Sequence, residues 1–119
     1  MRDRTAANMA VRLLEETVKG GVQWSITDVP RNIREGTGNV HPLFVETNFK
    51  GSRIALYEER YRHFIDEDNF YWSARVCMAV LDEADRVLWE VWDEPEINEL
   101  YRVTREKVAG VGRLLNYFR

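Results

Sequence analysis

Alternating apolar and polar side chains in the middle of the chain constrain its fold more than any other feature. The alternation predicts the consecutive β-strands Ser52–Phe64, Phe70–Leu81 and Arg86–Trp92, because side chains two residues apart share one face of a strand. Acidic segments at Asp66–Asn69 and Asp82–Asp85 separate these strands and predict turns. We therefore expect neighbouring antiparallel strands at the centre of the fold. On the strand Phe70–Leu81, the alternation places Phe70, Trp72 and Met78 on the apolar face and Cys77 on the other.

An amphipathic helix is predicted over residues 4–19, where apolar side chains recur at helical spacing. The stripe consists of Ala7, Ala10, Val11, Leu14 and Val18, widened by Ala6, Leu13 and Thr17. Shorter alternating segments at Val22–Thr27 and 43–49 predict further strands, which brings the total to five. A glycine pair, Gly20–Gly21, separates the helix from the first strand and suits the exit from a helix.

Pro95 opens the last predicted element, because its fixed φ suits the first turn of a helix. An apolar stripe keeps helical spacing from there to the C-terminus, and we expect one long helix. The stripe consists of Ile97, Tyr101, Thr104, Val108, Val111, Leu115 and Phe118. Gly110 and Gly112 each weaken this helix by about 1 kcal/mol relative to alanine, which indicates a kink or a close backbone approach.

The predicted fold is a single α+β domain over residues 1–119. It has an N-terminal helix, a five-stranded antiparallel meander and a long C-terminal helix, with both helices on the apolar face of the sheet. A bent, barrel-like sheet is the alternative, because the apolar phase changes along the third strand. Ile54 and Leu56 define one phase, Tyr61 and His63 the other, and a β-bulge near Tyr57–Arg60 would reconcile them.

Composition indicates an ordinary globular domain, with 45% hydrophobic and 31% charged residues in a chain of 119. No apolar run approaches the length of a membrane span, and no apolar stretch of the secretory kind follows Met1. We therefore expect a cytoplasmic protein. Cys77 is the only cysteine, which excludes an intrachain disulfide and predicts a small buried side chain.

Charge is unevenly distributed in the C-terminal part of the chain. The formal net charge is −3, which argues against a protein whose main function is to grip a phosphate backbone. Seven acids and only Arg86 as a base lie between Asp82 and Glu96. Five bases and one acid lie between Arg102 and Arg119, so this part of the chain is strongly dipolar.

No catalytic, metal-binding or cofactor-binding motif stands out, and we expect a protein without catalytic residues, metal or cofactor. His41 and His63 lie on different elements and lack the acidic spacing of a zinc site. Opposite charges alternate from Glu58 to Arg62, which predicts cross-strand ion pairs rather than acid–base catalysis.

Residues 28–42 form the longest segment without a periodic pattern. Segments of this length inside compact domains are usually functional or disordered. The residues that could hold an anion through backbone amides and guanidinium groups are Arg31, Arg34, Gly36, Gly38 and His41. Because the lysine and the following helix of a P-loop are missing, a plain surface loop, a partner-binding loop and a small-molecule site all stay open.

Aromatic side chains are expected on both faces of the sheet. Tyr57, Tyr61 and Tyr71 are predicted to share the face opposite the helices, and Leu88 and Trp92 lie on the last strand. Since aromatic residues are enriched at protein interfaces, these five side chains predict a protein-binding surface. Apolar residues on both faces of the last strand further predict a homodimer.

The chain resembles a scattered group of short bacterial and phage-encoded proteins of unassigned function. The residues that carry the resemblance are the run from Leu13 to Thr17, the segment from Gly20 to Trp24 and the helix with Leu100 and Tyr101. The resemblance spans most of the chain and implies a prokaryotic origin and the architecture above. It implies no catalytic residue.

Together these observations favour a non-enzymatic interaction or regulatory module. It would act through the aromatic sheet face and the 28–42 loop, as a homodimer with a further protein partner. The alternative is a binding protein or enzyme that holds a nucleotide or phosphorylated metabolite in that loop. A third hypothesis, a single-strand nucleic-acid binder, depends on Arg53, Arg60, Arg62 and Arg75.

Overall fold

The structure is a computed structural model that describes residues 4–119. Its elements in chain order are α1 (Arg4–Lys19), β1 (Ser25–Ile26), α2 (Arg31–Arg34), β2 (Phe44–Phe49), β3 (Ser52–Phe64), β4 (Phe70–Leu81), β5 (Val87–Trp92), α3 (Pro95–Ala109) and α4 (Val111–Tyr117). The five strands form one antiparallel sheet in the order β1-β2-β3-β4-β5. The α+β meander is therefore confirmed, and the barrel-like alternative is wrong because the sheet stays open between β1 and β5.

Helices α1 and α3 pack against each other and against one face of the sheet, called here the helix face. Its central side chains Val45, Leu56 and Met78 are fully buried in the main core. The buried side chains of α1 are Ala6, Ala7, Ala10, Leu13 and Thr17. The buried face of α1 is rotated away from the centre of the predicted apolar stripe, because Val11 and Val18 of that stripe are exposed. The side chains that face the sheet and α3 follow the spacing 6, 10, 13, 17 instead.

Trp24 joins the end of α1 to the start of the sheet. Its Nε1 donates a hydrogen bond of 2.9 Å to Thr17 Oγ1, which itself donates to the carbonyl of Leu13 at 2.6 Å. The backbone between α1 and β1 is irregular. Of the predicted strand Val22–Thr27, only Ser25–Ile26 therefore pair as a strand, which is β1. Val22 is buried without belonging to a strand.

Residues 28–42 were predicted as a loop, but they contain the short helix α2 and cover the second face of the sheet. Ile33 of α2 is buried in a smaller core with Phe44, Tyr57 and Cys77. This second face is called the loop face. Val40 forms an isolated antiparallel bridge with Arg60, which ties the end of the segment to β3. The segment is therefore part of the packed structure.

Strands β3 and β4 pair without interruption from Arg53 opposite Leu81 to Phe64 opposite Phe70. The predicted bulge near Tyr57–Arg60 is wrong, and the register shift lies instead between β4 and β5, at Val80/Leu81. The apparent change of phase has another cause. Beyond residue 60 neither face of β3 is covered, so the pattern of apolar residues no longer follows burial.

The predicted long C-terminal helix is divided into two. Gly110 has φ 67°, a left-handed conformation that terminates α3 and starts a new helix direction at α4. The kink expected from the glycines is thus present at Gly110. No residue of α4 is buried, although Leu114 and Leu115 within it and Phe118 directly after it are large and apolar.

Candidate interaction surface

The distal half of the β3–β4 hairpin, residues 61–74, extends beyond every other strand and is called here the arm. Strand β2 pairs with β3 only as far as Tyr57, and β5 pairs with β4 only from Cys77. No residue of the arm is buried. A two-stranded ribbon of this kind contributes little burial to the fold.

The arm carries large aromatic side chains on its helix-face side. Phe64 and Phe70 lie opposite each other with ring centroids 5.4 Å apart, and Trp72 contacts Phe70 edge-on at 6.0 Å. The guanidinium of Arg62 lies 5.8 and 5.7 Å from the centroids of Phe64 and Phe70. Phe64, Phe70 and Trp72 are each about half exposed, so they form an apolar patch open to solvent.

The loop-face side of the arm is also aromatic. Tyr61, His63 and Tyr71 alternate onto this side, and the rings of His63 and Tyr71 lie 4.8 Å apart. Tyr71 is exposed, whereas Tyr61 is half-buried because the guanidinium of Arg75 stacks on its ring at 5.1 Å. The arm therefore presents aromatic surface on both sides.

The five residues predicted to form an interface do not lie on one open surface. Tyr57 is 1% exposed, because α2 packs over it. Trp92 stacks on Arg75 at 4.7 Å on the loop face, while Leu88 lies in β5 at the register shift. Tyr61, Tyr71, Leu88 and Trp92 keep accessible area, so four of the predicted positions are available to a partner.

A polar cluster of His41, Glu59 and Arg75 marks the boundary between the arm and the covered sheet. Glu59 and Arg75 are opposite each other in the β3–β4 register, and Nε and Nη2 of Arg75 donate to Glu59 Oε1 at 2.8 and 2.5 Å. His41 Nε2 lies 3.0 Å from Oε2. Because a carboxylate only accepts, the ring nitrogen is the donor there. The side chains of His41 and Glu59 are 2% and 8% exposed.

The electrostatics of this cluster indicate a fixed ion pair. Burial by itself raises the pKa of Glu59, but hydrogen bonds from His41 and Arg75, together with the charge of Arg75, hold it below its ordinary value. Burial lowers the pKa of Arg75, and the hydrogen bonds and charge of Glu59 more than offset this effect. Glu59 is thus ionised at neutral pH and joins β3, β4 and the 28–42 segment.

Two further groups near the cluster are unsuited to nucleophilic chemistry. Burial, and then the charge of Glu59, raises the pKa of the Cys77 thiol to about 12. Burial, with contributions from Cys77 and Glu90, raises the pKa of the Tyr57 hydroxyl. Both groups are protonated at neutral pH, and a protonated thiol is a weak nucleophile.

The residues predicted to hold an anion are only partly brought together. Arg34 and His41 line one recess of about 350 Å³, together with Asp28, Val29 and Asn39. Arg31 instead pairs with Glu35 at 2.9 Å. Gly36 and Gly38 both have positive φ and lie in the exposed turn after α2.

The arginines that would support nucleic-acid binding are mostly paired with carboxylates. Arg53 contacts Glu46 and Asp85 at 2.8 and 2.5 Å, and Arg60 contacts Glu58 at 2.9 Å. Arg75 belongs to the Glu59 cluster. Of the four, Arg62 is the one that lies against aromatic rings instead, so these residues do not form a continuous basic face.

In the part of the chain that the structure describes, no group of three or more histidine, cysteine or acidic side chains is placed to hold a metal ion. None of the helices within residues 4–119 has both the length and the apolar character needed to cross a membrane.

Comparisons of the chain with protein-family models, with curated proteins and with solved structures found no significant match. The resemblance to bacterial and phage-encoded proteins therefore stays a prediction. The residues that sequence reasoning missed are the aromatic pair Phe64 and Phe70 with Trp72 on the arm. Trp72 and Phe70 were assigned to the apolar face of β4, and the missing signal was that the helices do not extend far enough to cover them.

Proposed function

We propose that this protein is a non-enzymatic interaction module that forms a homodimer through its arm. The observation that carries the proposal is the arm itself, in which Phe64, Phe70 and Trp72 stay exposed although they continue the apolar face of the core. Exposed apolar patches of this kind mark interaction sites in soluble proteins. Aromatic residues supply much of the binding energy where such patches are buried.

The partner that fits the arm best is α4 of a second copy. Helix α4 packs mainly against α3 and leaves Leu114 and Leu115 exposed, together with Phe118 directly after it. An apolar helix face and an apolar sheet face can bury each other, as α1 and the sheet do within one chain. Two copies related by a two-fold axis would each place α4 on the other's arm.

Charge favours the same arrangement. The turn at the end of the arm is acidic, and its residues Glu67 and Asp68 are exposed. The α3–α4 junction is basic, with Lys107 and Arg113 exposed. Opposite charges around two apolar surfaces favour their encounter and fix their orientation.

Light scattering coupled to size-exclusion chromatography at two protein concentrations tests the proposal. The protein should form a dimer, and Trp72→Glu and Leu115→Glu should each produce a monomer, since both place a charge in the contact. Val18→Glu is the matched control, because Val18 is an exposed apolar residue of α1 that belongs to neither the arm nor α4. Circular dichroism should show that all three variants stay folded. A wild-type monomer at both concentrations would contradict the proposal.

Mixing the two monomeric variants distinguishes arm-to-helix contact from other dimers. A mixed pair of Trp72→Glu and Leu115→Glu keeps one intact arm and one intact α4 that face each other, so partial dimerisation should return. If arms instead paired with arms, Leu115→Glu alone would still dimerise. That result would contradict the assignment of α4 as the surface that binds the arm.

A second candidate function is anion binding by the 28–42 segment, because Arg34 and His41 line the same recess. Asp28 also lines it, which reduces the positive potential. If the recess holds a phosphate group, inorganic phosphate or a nucleotide should raise the melting temperature, and Arg34→Ala should remove the shift while Arg31→Ala keeps it. The nucleic-acid hypothesis is weaker, since most of its arginines are paired with carboxylates.

A further inference from the structure

Strand β5 has an open edge that no strand within residues 4–119 covers. It is the last strand in the sheet order, so its outer backbone groups have no partner strand in the described chain. The opposite edge is formed by β1, which has only two residues. Short edges, lysine and proline are common protections against unwanted strand pairing. Strand β5, with the sequence VLWEVW, has neither lysine nor proline.

Large apolar side chains border this edge on both faces. Trp89 lies opposite Val80 of the helix face, and Trp92 lies opposite Cys77 of the loop face. Both tryptophans are more than one third exposed, at 36% and 41%. An added strand would bury part of each, because its alternating side chains would reach both faces.

The ends of β5 carry several acidic residues, and only some of them are paired with an arginine. Asp82 and Asp85 are paired with Arg86 and Arg53 respectively. By contrast, Glu83 and Asp93 are exposed and make no ion pair with any described residue. The open edge therefore carries Trp89 and Trp92, is negative at both ends, and has one further acid, the exposed Glu90, between the two tryptophans.

We infer that the open edge of β5 binds an extended polypeptide segment whose apolar centre is flanked by lysine or arginine. Main-chain hydrogen bonds to β5 supply affinity, and the acidic ends select the basic flanks. Pairing of β5 with a second copy of this chain is the competing occupant, because antiparallel pairing in full register would set Asp93 of one copy opposite Arg86 of the other. This surface differs from the arm, so the inference stands independently of the homodimer.

Synthetic peptides test the inference directly. The probe is KRVTVTRK, its charge control is EDVTVTDE, and its backbone control is KRVTVTRK with N-methylated amides in the VTVT part. In fluorescence anisotropy the probe should bind and weaken as salt rises, while both controls should fail at the same concentration. Amide hydrogen exchange should slow in β5 when the probe is added, and stay unchanged in β1.

Two variants locate the contact on the protein. Neutralising the ends with Glu83→Gln and Asp93→Asn should weaken the probe about threefold to tenfold and reduce the salt dependence. Asparagine suits position 93, because Asp93 has a positive φ of 61° that asparagine tolerates. Trp72→Glu on the arm should leave probe affinity unchanged, so failure of the homodimer does not disturb this test.

The inference is overturned if the probe fails to bind, if EDVTVTDE binds equally well, or if exchange slows elsewhere than in β5. It is also overturned if β5 gains protection with rising protein concentration in the absence of peptide, since the edge would then be a contact between copies.

Discussion

The two halves of the β3–β4 hairpin share one continuous register and differ in what covers them. In the proximal half, Leu56 and Met78 lie under α1 and α3, while Tyr57 and Cys77 lie under α2. In the arm the same strands continue with the same pairing, and none of its residues is buried. The comparison teaches that backbone pairing alone does not define the core. Packing of other elements on the faces of the sheet does, and where it is missing the apolar residues of the arm stay exposed.

The largest expected effect comes from truncating one side chain in each half. Leu56→Ala should lower the free energy of unfolding by about 2–5 kcal/mol, because a fully buried side chain leaves a cavity. Trp72→Ala in the arm should change it by no more than about 0.5 kcal/mol, since Trp72 is 53% exposed. Urea denaturation followed by circular dichroism, at a low and equal protein concentration, measures both. A similar loss of unfolding free energy in the two variants would contradict the difference between the proximal half of the hairpin and the arm.

A smaller effect tests the cover on the loop face through Cys77, which is a native probe. The thiol is 2% exposed and its pKa is raised to about 12, so labelling by a thiol reagent at pH 8 should be slow. Ile33→Ala removes a side chain that packs over this face and should accelerate labelling about tenfold or more. Val18→Ala, at an exposed position, is the control and should not change the rate. Fast labelling of the wild-type protein would mean that α2 does not cover the face.

The smallest effect concerns the His41–Glu59–Arg75 cluster at the boundary between the halves. The folded-state pKa of Glu59 is below its ordinary value of 4.5, so its contribution to stability is fully present above that value. The contribution is lost as pH falls through the lower folded-state pKa. As pH falls below 4.5 the wild-type protein should therefore lose stability more steeply than Glu59→Gln.

Other carboxyls titrate in the same range and must be separated from Glu59. The pKa values of Asp66, Asp82 and Glu99 are also lowered, by hydrogen bonds within turns and along α3. The difference between the two pH profiles removes their contribution and leaves that of Glu59 and its partners His41 and Arg75, because the other carboxyls are unchanged in the variant. Parallel profiles would show that the cluster contributes no stability that depends on ionisation.

Sequence periodicity located most elements because it reports local burial. The alternation of β4 assigned Trp72, Met78 and Cys77 to their correct faces, and Gly110 marked the break in the last helix. Periodicity gave a wrong prediction where apolar side chains are not buried. The apparent phase change after Tyr57 suggested a bulge that is absent, because the arm is uncovered on both sides.

The candidate site was less predictable than the fold. Opposite charges from Glu58 to Arg62 predicted cross-strand pairs, and Glu59 does pair with Arg75 across the β3–β4 register. His41 was expected to serve an anion, yet its ring donates to Glu59. That contact joins residues eighteen positions apart and depends on how the 28–42 segment lies on the sheet, which no local pattern encodes.

The sequence by itself determined the N-terminal helix, the order of the five strands, the faces of β4 and the acidic ends of β5, because each depends on neighbouring residues. Only the tertiary structure decided what covers each face. It placed α2 over Tyr57 and Cys77 and left the arm bare. Packing between distant segments is set by shape and by which surfaces remain available. A residue such as Trp72 is therefore apolar in the sequence, whereas its exposure depends on the reach of helices far along the chain.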